Sequence, residues 1–184
     1  MPLQAVLATL FCVYPLLVAP VLWRIMITDI EEMRIANRDT AQLYLLTSAV
    51  VALGVVIVGV VAGTNAAAPG GQRQTVMVLV ESVTVAAVLA VAVAFLGLCA
   101  SFISRNKIGF GDTKLLPLLV FVAVLVGGVE AVLVFAAVTA VALALILVVR
   151  AQWVKLGGVP AAPALVIGFC CAYFVGGVEK LLQF

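Results

Sequence analysis

Long apolar runs broken by short polar segments set the pattern of the chain. The first run extends from about Leu3 to Ile27, and the polar segment Thr28 to Thr40 follows. A second run covers about Ala41 to Val61, and Gly63 to Gln74, rich in Gly, Ala, Asn and Pro, reads as a loop. A third run spans about Thr75 to Ile103, before the polar segment Ser104 to Lys114. Leu115 to Val149 is a long apolar run with Glu130 as its one charged residue, Arg150 to Pro160 is polar again, and Ala161 to Leu182 is the last apolar run. A helix crosses a bilayer with about 20 apolar residues. The pattern therefore predicts an all-α, polytopic membrane protein. The first run lacks a positively charged start and is long for a signal peptide, so a retained spanning helix is expected there.

Leu115 to Val149 decides the number of crossings. As one helix it would reach roughly 52 Å, against a hydrocarbon core of about 30 Å. Gly127-Gly128-Val129-Glu130 offers a turn, and a split there predicts six transmembrane helices. The three polar segments then share one side. With Arg24, that side holds Arg34, Arg38, Arg105, Lys107, Lys114, Arg150 and Lys155, while the other side holds only Arg73 and Lys180. The bias of basic residues makes the richer side cytoplasmic and both termini non-cytoplasmic. Residues 1–184 are expected to form a single membrane-embedded domain, with no linker or internal repeat.

Composition narrows the chemistry. The chain is 66% hydrophobic and only 10% charged, with a mean hydropathy of +1.36. Soluble domains carry about 25% charged residues, so lipid is the expected solvent. A formal net charge of +2 without a basic cluster gives no sign of nucleic acid. Histidine is absent, which removes Ser-His and Cys-His catalysis and the two-histidine zinc helix. Cys12, Cys99, Cys170 and Cys171 lie in apolar runs without a Cys-x-x-Cys pair. They are expected to be small buried hydrophobes rather than zinc ligands.

Two aspartates stand at the predicted cytoplasmic boundary: Asp29 at the end of the first helix, and Asp112 in Ile108-Gly109-Phe110-Gly111-Asp112-Thr113-Lys114-Leu115. Ionisable groups at membrane depth are costly and point to function. Asp112 to Gly127 gives roughly 22 Å of helix, short of a core of about 30 Å. Either Asp112 is recessed from the cytoplasmic face, or the Gly127 turn is recessed from the outer one. Two carboxylates in one partly dry cavity do not both ionise easily and share a proton. The ionised member then takes a proton from water while the protonated member polarises a scissile carbonyl. Gly109 and Gly111, without Cβ atoms, would let a substrate backbone approach and permit an unwound entry into the fourth helix.

Gly109-Phe110-Gly111-Asp112 resembles the Gly-x-Gly-Asp motif of intramembrane aspartyl proteases. With Thr113-Lys114-Leu115 it is similar to the type IV prepilin peptidase family, which includes preflagellin peptidases. Asp29 followed by Arg34-Ile35-Ala36-Asn37 resembles that family's first-aspartate segment, with Ala36 in place of the usual proline, a change expected to loosen the turn. Val159-Pro160-Ala161-Ala162-Pro163-Ala164 resembles the Pro-rich entry to its last helix. The resemblance implies Asp29 and Asp112 as the catalytic pair of a metal-independent endopeptidase without a cofactor. It implies prepilin-like or preflagellin-like substrates, cleaved at the cytoplasmic face of a prokaryotic inner membrane. Many bacterial members carry a cytoplasmic insert with paired Cys-x-x-Cys motifs and methylate the product. The loop here is short and lacks such cysteines, which implies a compact, peptidase-only form.

Other residues carry competing readings. Lys114 either orients Asp112 or contacts substrate, or it is an interface lysine with its ammonium in the headgroups. Asp29, Glu31, Glu32 and Asp39 outnumber Arg34 and Arg38 by four to two. Glu31, Glu32 and Asn37 are thus candidates for contact with the basic leader that the resemblance implies, beside the plainer reading of a solvated loop. Gly54, Gly59, Gly97, Gly176 and Gly177 are expected to serve helix packing, and Glu81 and Glu130 to be interface residues. Two other functions compete with the peptidase: a small ion- or proton-coupled transporter, and an inactive pilus-assembly protein. A transporter favours inverted repeats and acids near the midplane, an inactive member a lost aspartate, and the sequence has none of these features.

Overall fold

A computed structural model describes residues 3–32, 35–64, 69–103, 110–153 and 160–182. The described elements are all helices: α1 (Leu3–Glu32), α2 (Asn37–Thr64), α3 (Pro69–Ile103), α4 (Phe110–Trp153) and α5 (Ala162–Leu182). Cys12–Glu32, Asn37–Val60, Val80–Cys99 and Thr113–Val149 are each long and apolar enough to cross a membrane, and Ala162–Val178 is a shorter apolar helix. The chain is an all-α, multi-pass membrane protein. Its outer surface agrees, because large side chains such as Leu16, Phe95, Phe102, Leu133 and Phe174 point away from the bundle. In water such a surface would aggregate; in lipid it is the solvated face.

α4 is not one rod. Its backbone leaves helical geometry at Gly128, with φ 69° and ψ −159°, a region that only glycine adopts readily. Contacts with α5 show what the break does. Gly176 lies against Gly127 and Ala131, while Gly168, nearer the start of α5, lies against Phe135 and Thr139. The second half of α4 therefore runs antiparallel to α5. The first half begins at the same end of the bundle as α5, as the contacts of Lys114 and Ala162 below establish, and meets α5 again at Gly127. The chain turns back on itself at Gly128, within the Gly-Gly turn that length and composition single out.

The core gathers along α4. Ile25 of α1, Leu43 of α2, and Leu115 and Leu119 of α4 are fully buried, with Phe135, Phe169 and Tyr173 in the same cluster. The Tyr14 and Tyr173 rings stack at 5.8 Å between α1 and α5. Tyr14 Oη also lies 3.0 Å from Thr47 Oγ1. Thr47 spends its own hydrogen on the Leu43 carbonyl at 2.8 Å, so Tyr14 is the donor.

Three sequence expectations need correction. The loop assigned to Gly63–Gln74 is shorter, because Gly63 and Thr64 end α2 and Pro69 opens α3; proline suits a helix's first turn, where its missing N–H has no partner to lose. Helix also continues past the apolar runs to Glu32 and Trp153, since charged residues outside the hydrocarbon do not interrupt it. The cysteines are not core residues: Cys12, Cys170 and Cys171 are exposed and Cys99 is half-buried. In a membrane protein an apolar side chain needs lipid, not burial in protein.

Candidate active site

Asp29 sits in the last turn of α1, yet it is only 5% exposed. Its Oδ2 accepts a hydrogen bond from the Ala162 backbone N–H at 2.9 Å. Ala162 opens α5, and the first amides of a helix have no partner within it. Pro163 removes one of those donors, and Leu165 N–H already bonds to the Ala161 carbonyl at 3.0 Å. The carboxylate thus caps α5 from another helix, at the end where the helix dipole favours negative charge. An apolar groove of about 230 Å³ runs along the α1–α5 seam toward this contact. Met26 and Val166 line the groove, each about one helical turn from Asp29 and Ala162 respectively.

The segment after Asp29 is fixed at two places. Asp39, buried in the first turn of α2, lies with its Oδ1 3.6 Å from Nη1 of Arg24 on α1. The Ala36 carbonyl accepts from Asp39 N–H at 3.1 Å and Thr40 N–H at 3.2 Å, and from the Thr40 hydroxyl at 3.3 Å. These three bonds fasten the start of α2 to the Ala36 carbonyl.

Asp112 is the third residue of α4, and Gly111 precedes it in the same turn. The helix therefore begins before the aspartate, and the unwound entry expected at Gly111 is not found. Gly109 and the Asp112 side chain lie outside the described part of the structure. The residues that follow Asp112 are held from both sides. A Cβ built on Gly97 of α3 would touch Thr113 at 3.5 Å. The Tyr44 hydroxyl of α2 donates to the Lys114 carbonyl at 2.8 Å. Lys114 Nζ donates to Asn37 Oδ1 at 2.8 Å. Leu115 is fully buried.

These contacts bring the end of α1 and the starts of α2, α4 and α5 to one end of the bundle. Of the sequence candidates, Asp29, Asn37 and Lys114 belong to that assembly, and so does the backbone of Asp112. Lys114 has a partner on α2 rather than lying loose in the interface. Glu31 and Glu32 lie in the last turn of α1, exposed and outside these contacts. Sequence reasoning missed Tyr44 and the Ala162 amide. Tyr44 carried a signal: it stands seven positions after Asn37, on the same face of α2 about two turns away. The Ala162 amide carried none, because a backbone group has no signature. Comparison with protein-family models, with curated proteins and with solved structures gave no match for this chain.

Proposed function

We propose that this chain is an intramembrane aspartyl endopeptidase that removes the leader from prepilin-like or preflagellin-like proteins at the cytoplasmic membrane face. Asp29 and Asp112 are its catalytic pair. The observation that carries the reading is the buried Asp29 carboxylate, placed at the end of the bundle where the first turn of α4 is fastened. Buried carboxylates are rarely kept without a partner or a task. The Gly-x-Gly-Asp sequence and its flanks supply the second acid and the substrate class.

The reading includes six crossings, with the reversal at Gly128 separating the fourth from the fifth. An even number leaves both termini on the side opposite the aspartates. The three polar segments carry eight of the ten Lys and Arg residues when Arg24 is counted with them, which makes their side cytoplasmic. In the reaction, one carboxylate takes a proton from water as its oxygen attacks the scissile carbonyl carbon. The protonated partner gives its proton to the carbonyl oxygen. Collapse of the tetrahedral intermediate breaks the C–N bond: the proton taken from water passes to the leaving amine, and a hydroxyl of the intermediate returns its proton to the second carboxylate.

Co-expression with a candidate prepilin, read by the mobility shift of the processed product, tests the proposal. Wild type should process the substrate. Asp29→Ala and Asp112→Ala should each stop processing while the protein still inserts. Full processing by either variant overturns the mechanism.

A further inference from the structure

We infer that Asn37 and Tyr44 are positioning residues for Asp112, acting through Lys114, an inference that rests on the peptidase reading. Lys114 follows Asp112 by two residues, within the same helical turn. α2 holds it at two separate points: the ammonium on Asn37 Oδ1 and the main-chain carbonyl under the Tyr44 hydroxyl. A side-chain bond alone would leave the backbone free to shift, and a backbone bond alone would leave a single pivot. Together they fix both the place and the rotation of this turn.

Asp112 and Lys114 lie two residues apart at the start of α4, so what holds Lys114 also holds the backbone of Asp112. Gly97 of α3 lets Thr113 pack closely on the other side. The start of α4 is thus held between its neighbours on α2 and α3.

The same contacts tie the two aspartate-bearing segments together. Asp29 shares α1 with Arg24, Arg24 pairs with Asp39, and Asp39 shares the first turn of α2 with Asn37. Asn37 then holds Lys114, beside Asp112. A hydrolytic pair must keep its two carboxyl groups in a narrow range of separation, and a misplacement of about 1 Å costs as much as a hundred-fold in rate. This linkage gives Asn37 a different task from leader contact: it faces the helix of the second aspartate.

The experiment compares purified wild type with Tyr44→Phe, Asn37→Ala and Asn37→Asp in lipid vesicles, using a prepilin-like substrate and measuring kcat and KM separately. Tyr44→Phe and Asn37→Ala should each lower kcat by about ten-fold, with KM within about two-fold of wild type. Asn37→Asp should restore most of kcat, because its carboxylate accepts from Lys114 Nζ as the amide does. A rise in KM with kcat unchanged overturns the inference and makes these residues substrate contacts. Unchanged kcat in both Tyr44→Phe and Asn37→Ala also overturns it, as does Asn37→Asp behaving like Asn37→Ala. Failure of wild type to cut the substrate overturns the peptidase reading itself, which separates the two.

Discussion

Replacing Gly176 with alanine probes the packing that holds the hairpin of α4 against α5. The new Cβ would lie 2.6 Å from the Gly127 Cα and 3.0 Å from the Gly127 nitrogen. Carbon atoms not bonded to each other rest about 3.5–4.0 Å apart, so the two backbones must separate by about 1 Å. Neither neighbour is the tip of a flexible side chain, and no rotamer change relieves the overlap. A gap of that size forfeits a quarter to a half of the dispersion energy of the affected atoms, and overpacking of this kind typically costs about 1–3 kcal/mol. For a chain of this length the melting temperature should fall by roughly 2–12 °C. The assay is thermal unfolding in detergent, with Gly59→Ala as the control, since a Cβ there meets nothing within 4 Å. Adding Gly127→Ala to Gly176→Ala should cost less than the sum of the single changes, because the first has already opened the gap. Equal melting temperatures for Gly176→Ala and Gly59→Ala would refute the close approach of the two helices.

Three further outcomes follow from named contacts. Gly128→Ala should destabilise by about 1–3 kcal/mol through backbone strain alone, because nothing lies within 4 Å of its Cβ; an unchanged melting temperature would mean that the backbone there is helical. Tyr14→Phe keeps the ring stacked on Tyr173 but removes the donor to Thr47, so it should cost about 0.5–1.5 kcal/mol in the same assay, whereas a larger loss would show that the hydroxyl does more than make this bond. Glu31→Gln with Glu32→Gln should raise KM for a basic-leader substrate by roughly two- to five-fold at low salt and leave kcat alone, with the difference fading as salt screens the charges; a difference that persists in high salt would rule out electrostatic attraction.

Much of the fold was legible because lipid imposes strict rules on length and polarity. Leu115 to Val149 is too long for one crossing, and the Gly127-Gly128 pair supplies the conformational freedom for a turn; the break falls at Gly128. Helix ends were less legible. Pro69 reads as part of a loop by composition but is also a good helix opener, and acidic residues such as Glu31 and Glu32 mark the edge of the membrane without marking the end of the helix. The cysteines misled because hydrophobicity predicts burial only where the outside is water.

The site divides in the same way. Asp29, Asn37 and Lys114 were visible as chemically able residues at recognisable spacings. Their partners were not, because the bonds that place them join residues 133 and 77 positions apart. The sequence offered Asn37 to the substrate and Lys114 to Asp112, the substrate or the interface, whereas the structure pairs the two side chains with each other. Exposure separates the acids as well. Asp29 and Asp39 are buried in contacts within the protein, which leaves Glu31 and Glu32 as the exposed acids of this segment.

Processing of a prepilin-like substrate by Asp29→Asn and Asp112→Asn, each confirmed to be inserted in the membrane, tests the catalytic pair most directly. Asparagine keeps the size of the side chain, and at residue 29 it keeps an oxygen for the Ala162 amide, so folding is preserved while the titrating oxygen is lost. The catalytic pair predicts that wild type releases the shortened product and that neither variant does. Release of the product by either variant at the wild-type rate would contradict it.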